Sequence, residues 1–233
     1  MNYRKYDSVG ELTNAALKGV HKEWLAPDFL SSIEQPFEFL FASSRNAGDT
    51  NYCPAPENIF HPLKILKPED VKVVLVAQDP YPRLADAIGI AFQAGKGVKT
   101  QSVASMKKSL VQHGLECDLG EGCKQYNLMP WIRQGVLLMN VTFTTIEGES
   151  GSHKQVWEGV ADSLLAQIPR KSVALLLGGD AKAMTAAVRS DETVEHIHPT
   201  ARGMKFWTKN VFGETNACLV KLGHKPIDWR MHD

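Results

Sequence analysis

Residues Val71–Arg83 read VKVVLVAQDPYPR. Apolar, largely β-branched residues run as far as Val76 and then stop at Gln78 and Asp79. Pro80 and Pro82 follow at once, bracketing Tyr81. A short, nearly continuous apolar run is how a strand buried on both faces of a parallel sheet reads. The prolines fix φ and remove two N–H donors, so pairing cannot continue past them. The stretch is therefore read as a central strand, Val71–Val76, that delivers a carboxylate into a rigid turn.

Three further runs have the same length: Gly135–Asn140 (GVLLMN), Val173–Leu177 (VALLL) and Val194–His198 (VEHIH). Helical patterns lie between them. Ser152 and Gln155 have capping-box spacing ahead of an apolar face of Val156, Trp157, Val160, Leu164 and Ile168. Asp180 stands where it would cap a helix carrying AKAMTAAV. Ser8 and Glu11 repeat the box spacing within some forty helical N-terminal residues, and Arg45–Pro62, which includes CPAPEN, reads as a loop. Strands alternating with helices predict an α/β fold: a central four-stranded parallel sheet, right-handed crossovers and helices on both faces. No linker, repeat or low-complexity segment interrupts the chain, so residues 1–233 read as a single domain.

In open parallel sheets, ligands bind beyond the carboxyl ends of the strands. Gln78 and Asp79 follow the first strand, Asn140 ends the second, Gly178 and Gly179 follow the third, and His198 is read as ending the fourth. A carboxylate, an amide and an imidazole are thus expected on one rim. Each has a plainer reading: an Asx-turn at Asp79, a strand-end cap at Asn140, a loop histidine at His198. Their arrival together at strand ends is what favours a site.

Charge and cysteines narrow the classes. Lys plus Arg and Asp plus Glu both number 26, so the whole chain does not announce a nucleic-acid partner. The distribution is less even. Lys96, Lys99, Lys107 and Lys108 fall between Ala87 and Leu115 without an acid, and residues 196–233 hold more basic than acidic side chains. A locally basic face can bind phosphate at zero net charge, and a solvated lysine face reads equally well. Cys53, Cys117, Cys123 and Cys218 form no C-x-x-C pair, which argues against a zinc ribbon or an iron–sulfur cluster. Free thiols and an intracellular setting are expected, with no membrane partner. His196 and His198 are read as facing apart, so no metal is expected of them. LLLGGDAK has neither the spacing nor the Lys-Ser/Thr of a Walker loop, and no nucleophile elbow is present.

Five segments, in order across roughly Cys53 to Trp229, carry a resemblance. AQDPYP is similar to the G-Q-D-P-Y-H motif of family 1 uracil-DNA glycosylases. GIAF (Gly89–Phe92) resembles that family's G-L-A-F, and PWIRQGVLLMN resembles its W-x-x-Q-G-V-L-L-L-N. HPTARG (His198–Gly203) stands where the family carries H-P-S-P-L-S, and GHKPIDW resembles G-x-x-P-I-D-W. The resemblance implies hydrolysis of the N-glycosidic bond of uracil in single- and double-stranded DNA, the first step of base excision repair, with no cofactor. It implies that Asp79 orients water and faces the sugar cation, and that His198 stabilises the uracil anion. Asn140 would read the base edge, Phe92 stack on it, Tyr81 lie against C5, and Gln78 line the pocket. Ser102, Thr200 and Arg202 would meet DNA, with Lys96, Lys99 and Lys205 adding attraction.

The departures are specific. Ala77 replaces a glycine, and Pro82 replaces a histidine, removing a side-chain donor. Thr200 replaces a serine, and Ala201 a proline. Arg202 replaces an apolar wedge. Poxvirus relatives resemble this chain in that His-Pro-x-Ala-Arg loop, which implies a viral or otherwise divergent member, working in the cytoplasm or, if viral, in a host nucleus. A replication protein and a proteinaceous glycosylase inhibitor are the protein partners such a member implies. The competing reading is a DNA-binding processivity adaptor on the same fold with weak or lost excision. A broader, mismatch-type base range is a third, against which Tyr81 and Asn140 speak.

Overall fold

All four runs form strands in the computed structural model, which describes residues 3–46, 48, 51–95, 98–116, 125–184, 187–203 and 205–231. In chain order the elements are α1 (Val9–Leu17), α2 (Pro27–Asn46), β1 (Tyr52–Cys53), β2 (Val73–Ala77), α3 (Gln101–Gln112), α4 (Met129–Arg133) and β3 (Val136–Asn140). They continue with β4 (Thr145–Ile146), α5 (Val160–Leu165), β5 (Val173–Leu177), α6 (Gly179–Ala183), β6 (Glu192–His196) and α7 (Val211–Lys221). Short 3-10 turns, such as Pro56–Asn58 and His61–Lys64, fill the connection between β1 and β2.

The main sheet has the order β3-β2-β5-β6, and every pairing in it is parallel. Val73 to Val76 are completely buried, as a strand covered on both faces requires. The chain leaves β2 towards β3, then crosses back to β5 on the other side. With right-handed crossovers, that reversal puts α3 and α4 on one face and α5 and α6 on the other. The packing agrees: α2 lies against α5, while Trp131 of α4 meets Phe212 of α7. The α/β expectation is met, with four parallel strands and flanking helices.

Several boundaries differ from the expected ones. β2 begins at Val73, because Val71 still belongs to a turn closed onto Pro68. β6 ends at His196, so His198 lies two residues past the strand it was expected to end. The segment Arg45–Pro62 is not all loop: Arg45 and Asn46 are the last residues of α2, and β1 pairs antiparallel with β4. Ser152 does not cap a helix. Its hydroxyl takes the Ile146 N–H at 2.7 Å and meets Thr145 Oγ1 at 2.9 Å, while α5 starts only after Gly159 in left-handed geometry. The expected apolar face is kept, with Trp157, Val160, Leu164 and Ile168 all buried. Gly178, not Asp180, is the N-cap of α6. The N-terminal box forms in part: Ser8 Oγ accepts the Glu11 N–H at 3.1 Å, but the Glu11 carboxylate reaches the N–H of Asp7 rather than that of Ser8.

Cys53 and Cys218 are free thiols, and burial pushes Cys53 up to about 12. Cys117, Cys123 and Lys96 lie outside the described residues. No helix among the described residues is long and apolar enough to cross a membrane.

PWIRQG (130–135) and GHKPIDW (223–229) serve the fold rather than the rim. Gln134 exchanges hydrogen bonds with the backbone of Asp228, at 2.9 and 2.8 Å. Asn216 of α7 brackets the same tail: its Oδ1 accepts from Ile227 N and Trp229 Nε1, and its Nδ2 donates to Ile227 O. Trp229 is thereby held edge-on to Trp131, with ring centroids 5.0 Å apart. Replacing Asn216 with Ala strands a buried indole N–H and two backbone groups. Asn216→Ala is expected to lose about 2 kcal/mol or more in urea unfolding, while the folded variant keeps the wild-type far-UV spectrum.

Candidate active site

The pairing of Ala77 with Asn140 brings the ends of β2 and β3 to one level. From that level the chain turns into Gln78–Arg83. Ala77 remains in ordinary strand geometry, so it needs none of a glycine's freedom. The Asp79 carboxylate is not held by a local Asx-turn. Its Oδ2 accepts from Ser150 Oγ at 2.5 Å and from the Gly151 N–H at 2.7 Å, both across the cleft. The loop that carries them is tied to the same turn: the Gly148 N–H donates to Pro82 O at 2.7 Å, and the Leu84 N–H donates to Glu147 at 3.1 Å. Hydrogen bonds from Asn51 and Leu84 hold the Glu147 carboxyl below its usual range.

Tyr81 is locked at its hydroxyl. Phe92 O lies 2.9 Å away and Thr100 Oγ1 3.0 Å away. A carbonyl can only accept, so the phenol donates to Phe92 and accepts from Thr100. Burial pushes this phenol above its ordinary range. Thr100 Oγ1 also accepts the Val103 N–H at 3.3 Å, capping α3. Phe92 has a φ of 64°, a left-handed conformation that costs a bulky residue on the order of 1 kcal/mol. Its position is over-determined nearby. Gly89 has a φ of 78°, and a Cβ there would sit 1.6 Å from Asn58 O. The Ala91 N–H bonds to Leu138 O of β3.

His198 sits over the end of β5. Gly178 makes room for it: a side chain there would place Cβ 3.0 Å from His198 Cβ, at a φ of 99°. His198 Nδ1 takes the Thr200 N–H at 3.2 Å and meets the Thr200 hydroxyl at 2.8 Å. A nitrogen that accepts an N–H carries no proton. The hydrogen-bond pattern therefore assigns a neutral ring with its proton on Nε2. The ring lies 6.1 Å from that of Phe92, tilted by 34°.

Asn140 completes the set. It is only 4% exposed, yet its side-chain amide makes no hydrogen bond to any described residue. Buried amides are normally satisfied, because leaving one unpaired costs about 1–3 kcal/mol. Asn140 lines a cleft of about 260 Å³ together with Gln78, Asp79, Tyr81, Phe92 and His198. Ser102, in the first turn of α3, and Ser150 stand at its edge.

Seven of the expected residues thus meet in one cleft: Gln78, Asp79, Tyr81, Phe92, Ser102, Asn140 and His198. Thr200 does not line it and instead fixes the imidazole. Arg202, Lys99 and Lys205 are exposed outside it. Lys107 is turned inward to Gln125 O and Glu116, and Lys108 lies over the Trp207 ring at 3.6 Å, so the lysine run is not one solvated face. His196 Nε2 donates to Phe206 O, 3.0 Å away, while His198 turns to Thr200. Residues two apart on a strand share a face. It is the end of β6 at His196, not alternation, that parts the two rings. Ser150, Gly151 and Thr100 were not anticipated. Thr100 had a visible signal as a cap before an apolar-periodic run, whereas Ser150 in GESGS had none.

Behind the Ser150 loop lies His153, buried, with its Nδ1 2.9 Å from Thr144 Oγ1 and its ring edge-on to Tyr52 at 4.8 Å. Burial lowers this imidazole from 6.5 to about 4. An unfolded chain takes up the proton first as the pH falls. The stability it confers is therefore complete above about 6.5 and declines towards 4, by roughly 3 kcal/mol at most. Urea titrations across that window should record the decline, and His153→Phe should flatten it above about pH 5, before ordinary carboxylates protonate.

Comparison with known proteins agrees with this geometry. The family profile described as the Uracil DNA glycosylase superfamily matches residues 63–224. A uracil-DNA glycosylase of Listeria monocytogenes is 30% identical, over 91% of this chain and 99% of its own length. One from Bacillus subtilis is 31% identical, over 91% and 99%. Among solved structures, mimivirus uracil-DNA glycosylase superimposes with a TM-score of 0.78 at 23% identity, over 95% of this chain and 89% of that one. The same mimivirus protein has been solved as a variant in complex with UGI. The UNG of Nitratifractor salsuginis gives 0.64 at 21%, over 97% of both chains.

Proposed function

The chain belongs to the uracil DNA glycosylase superfamily, and from that premise we propose that residues 1–233 act as one glycosylase domain that removes uracil from DNA. It hydrolyses the N-glycosidic bond, releases free uracil and leaves an abasic site. The observation that carries this reading is the Asn140 amide, buried and without a partner among the described residues, beside Asp79 and His198 in a single cleft.

The nucleotide is flipped out of the stack, since a base within a duplex cannot enter a cleft. Uracil lies against Phe92. The Asn140 amide accepts from uracil N3–H and donates to O4; cytosine presents the opposite pattern at both atoms. Tyr81, fixed at its hydroxyl, stands where thymine carries its methyl. As the glycosidic bond lengthens, positive charge grows on the sugar and negative charge on uracil. Asp79 faces the cation and orients the attacking water. The Nε2–H of His198 donates to uracil O2, where charge collects. A preorganised donor of this kind is worth about 3 kcal/mol. Ser102 and the open N–H groups at the start of α3 suit a phosphate, and Lys99, Arg202 and Lys205 extend that contact along single- or double-stranded DNA. Arg202, exposed where the family has an apolar wedge, supports a divergent, viral-type member. The UGI complex of the mimivirus protein supports an inhibitor protein as a partner class.

With the chain in excess and a chelator present, uracil but not thymine should be excised from both strand forms, read by alkaline cleavage of a labelled oligonucleotide. An intact strand would sink the reading. Asp79→Asn and His198→Ala should each slow the single-turnover rate by roughly 100-fold or more with the fold unchanged. Asn140→Asp should lower the uracil-to-cytosine ratio, and an unaltered ratio would remove Asn140 from its role.

A further inference from the structure

The turn that carries Asp79 is poor in donors. Pro80 and Pro82 have no N–H, and Asp79 receives no hydrogen bond from its own turn. A carboxylate on a short side chain can rotate about two bonds, and nothing local stops it. The structure supplies the restraint from 71 residues further along the chain, where Ser150 Oγ and the Gly151 N–H converge on Oδ2 at 2.5 and 2.7 Å. Among the described residues no donor reaches Oδ1. Two donors on one oxygen fix the carboxylate plane and leave the other oxygen as the acceptor. The loop is itself docked on the turn it restrains, through Gly148 N–H to Pro82 O. Gly151 holds a φ of 76°, which aims its N–H back at the carboxylate and favours glycine there.

We propose that Ser150 is a positioning residue for uracil excision: its hydroxyl, paired with the Gly151 N–H, holds Asp79 by Oδ2 so that Oδ1 is presented to the attacking water. The inference rests on the function proposed above. It also gives Pro82 an account. The side-chain donor that this turn lacks, where the similar motif has histidine, is replaced by a hydroxyl from across the cleft. Ser150 is assigned no contact with the base or the sugar. Its effect passes through Asp79.

Ser150 is exposed apart from this contact, so Ser150→Ala leaves the core untouched. Single-turnover excision on a uracil-containing oligonucleotide, at several concentrations of excess protein, separates maximal rate from half-saturating concentration. Ser150→Ala should lower the maximal rate about tenfold, the size of one lost hydrogen bond to a charged group. The half-saturating concentration should move by less than about twofold, since ground-state binding is not involved. Ser150→Thr, which keeps the hydroxyl, should recover most of the rate. Pro82→His placed in the Ser150→Ala background should also recover rate by restoring a donor to the turn. A purely structural role would change the unfolding midpoint and would be blind to the added histidine. A wild-type maximal rate in Ser150→Ala overturns the inference alone, as does a loss that neither Ser150→Thr nor Pro82→His relieves. A wild-type chain that excises nothing overturns the proposed function and this inference together.

Discussion

The rim depends on one pairing. β2 is bonded in parallel register to β3 on one side and to β5 on the other, with Ala77 opposite Asn140. A one-residue slip would turn each strand residue to the opposite face. With both faces of β2 buried, a slip would force Val73–Val76 to repack against other core neighbours and would carry the Asp79 turn out of line with Asn140. That constraint puts the Asp79 turn beside Asn140. The reversal of direction between β2 and β5 opens the gap into which His198 descends over Gly178. No binding residue has to be strained to bring these three together; the sheet does it.

What the sheet leaves undefined is orientation, and there the polar groups restrain one another. Thr200 fixes the tautomer of His198, Ser150 and Gly151 fix one oxygen of Asp79, and Phe92 O with Thr100 fixes Tyr81. Each restraint is a backbone group or a short hydroxyl, with little entropy to lose. The exceptions to comfort are Phe92 in left-handed geometry and Asn140, whose amide has no partner among the described residues. Both lie in the cleft, where the amide would be satisfied when a planar ring with matching polar edges enters. Strain and unsatisfied polarity gathered in one place are what separate a binding cleft from a surface dent.

How far this was legible in the sequence follows from how each element is stabilised. β2 and β5 are central, and β3, at one edge of the sheet, is just as deeply buried, so their apolar runs marked them to within two residues. β6 is an edge strand with Val194 buried between exposed Thr193 and Glu195, so its run was short and its frame was misjudged by two residues. β1 and β4 are two residues each and carry no periodicity to read. Ser152 had the spacing of a helix cap but formed a tertiary bracket, since a hydroxyl bonds whichever N–H the fold brings to it. Asp79, Asn140 and His198 could be found because they interrupt or follow apolar runs. Ser150 could not, because a serine among glycines in a loop looks the same whether it faces solvent or a carboxylate.

Base choice in the proposed reaction divides between two walls with different physics. Asn140 selects by polarity. A buried amide facing cytosine would oppose donor to donor and acceptor to acceptor, and such mismatches discriminate by several orders of magnitude. Tyr81 selects by shape. Excluding a methyl group depends on the wall not yielding, because a soft pocket distinguishes one methyl by only about 10- to 200-fold. The two walls therefore need different support. Asn140 needs only its place in β3, where the strand pairing supplies it. Tyr81 sits on a turn and needs external bracing, which the Phe92 carbonyl and the α3 cap Thr100 provide. The same threonine caps the helix whose first turn is proposed to meet DNA phosphate. In the proposed reaction, rejection of thymine and grip on the backbone are thus joined at one hydroxyl, and loosening the N-terminal end of α3 would soften the shape filter before it touched the polar one.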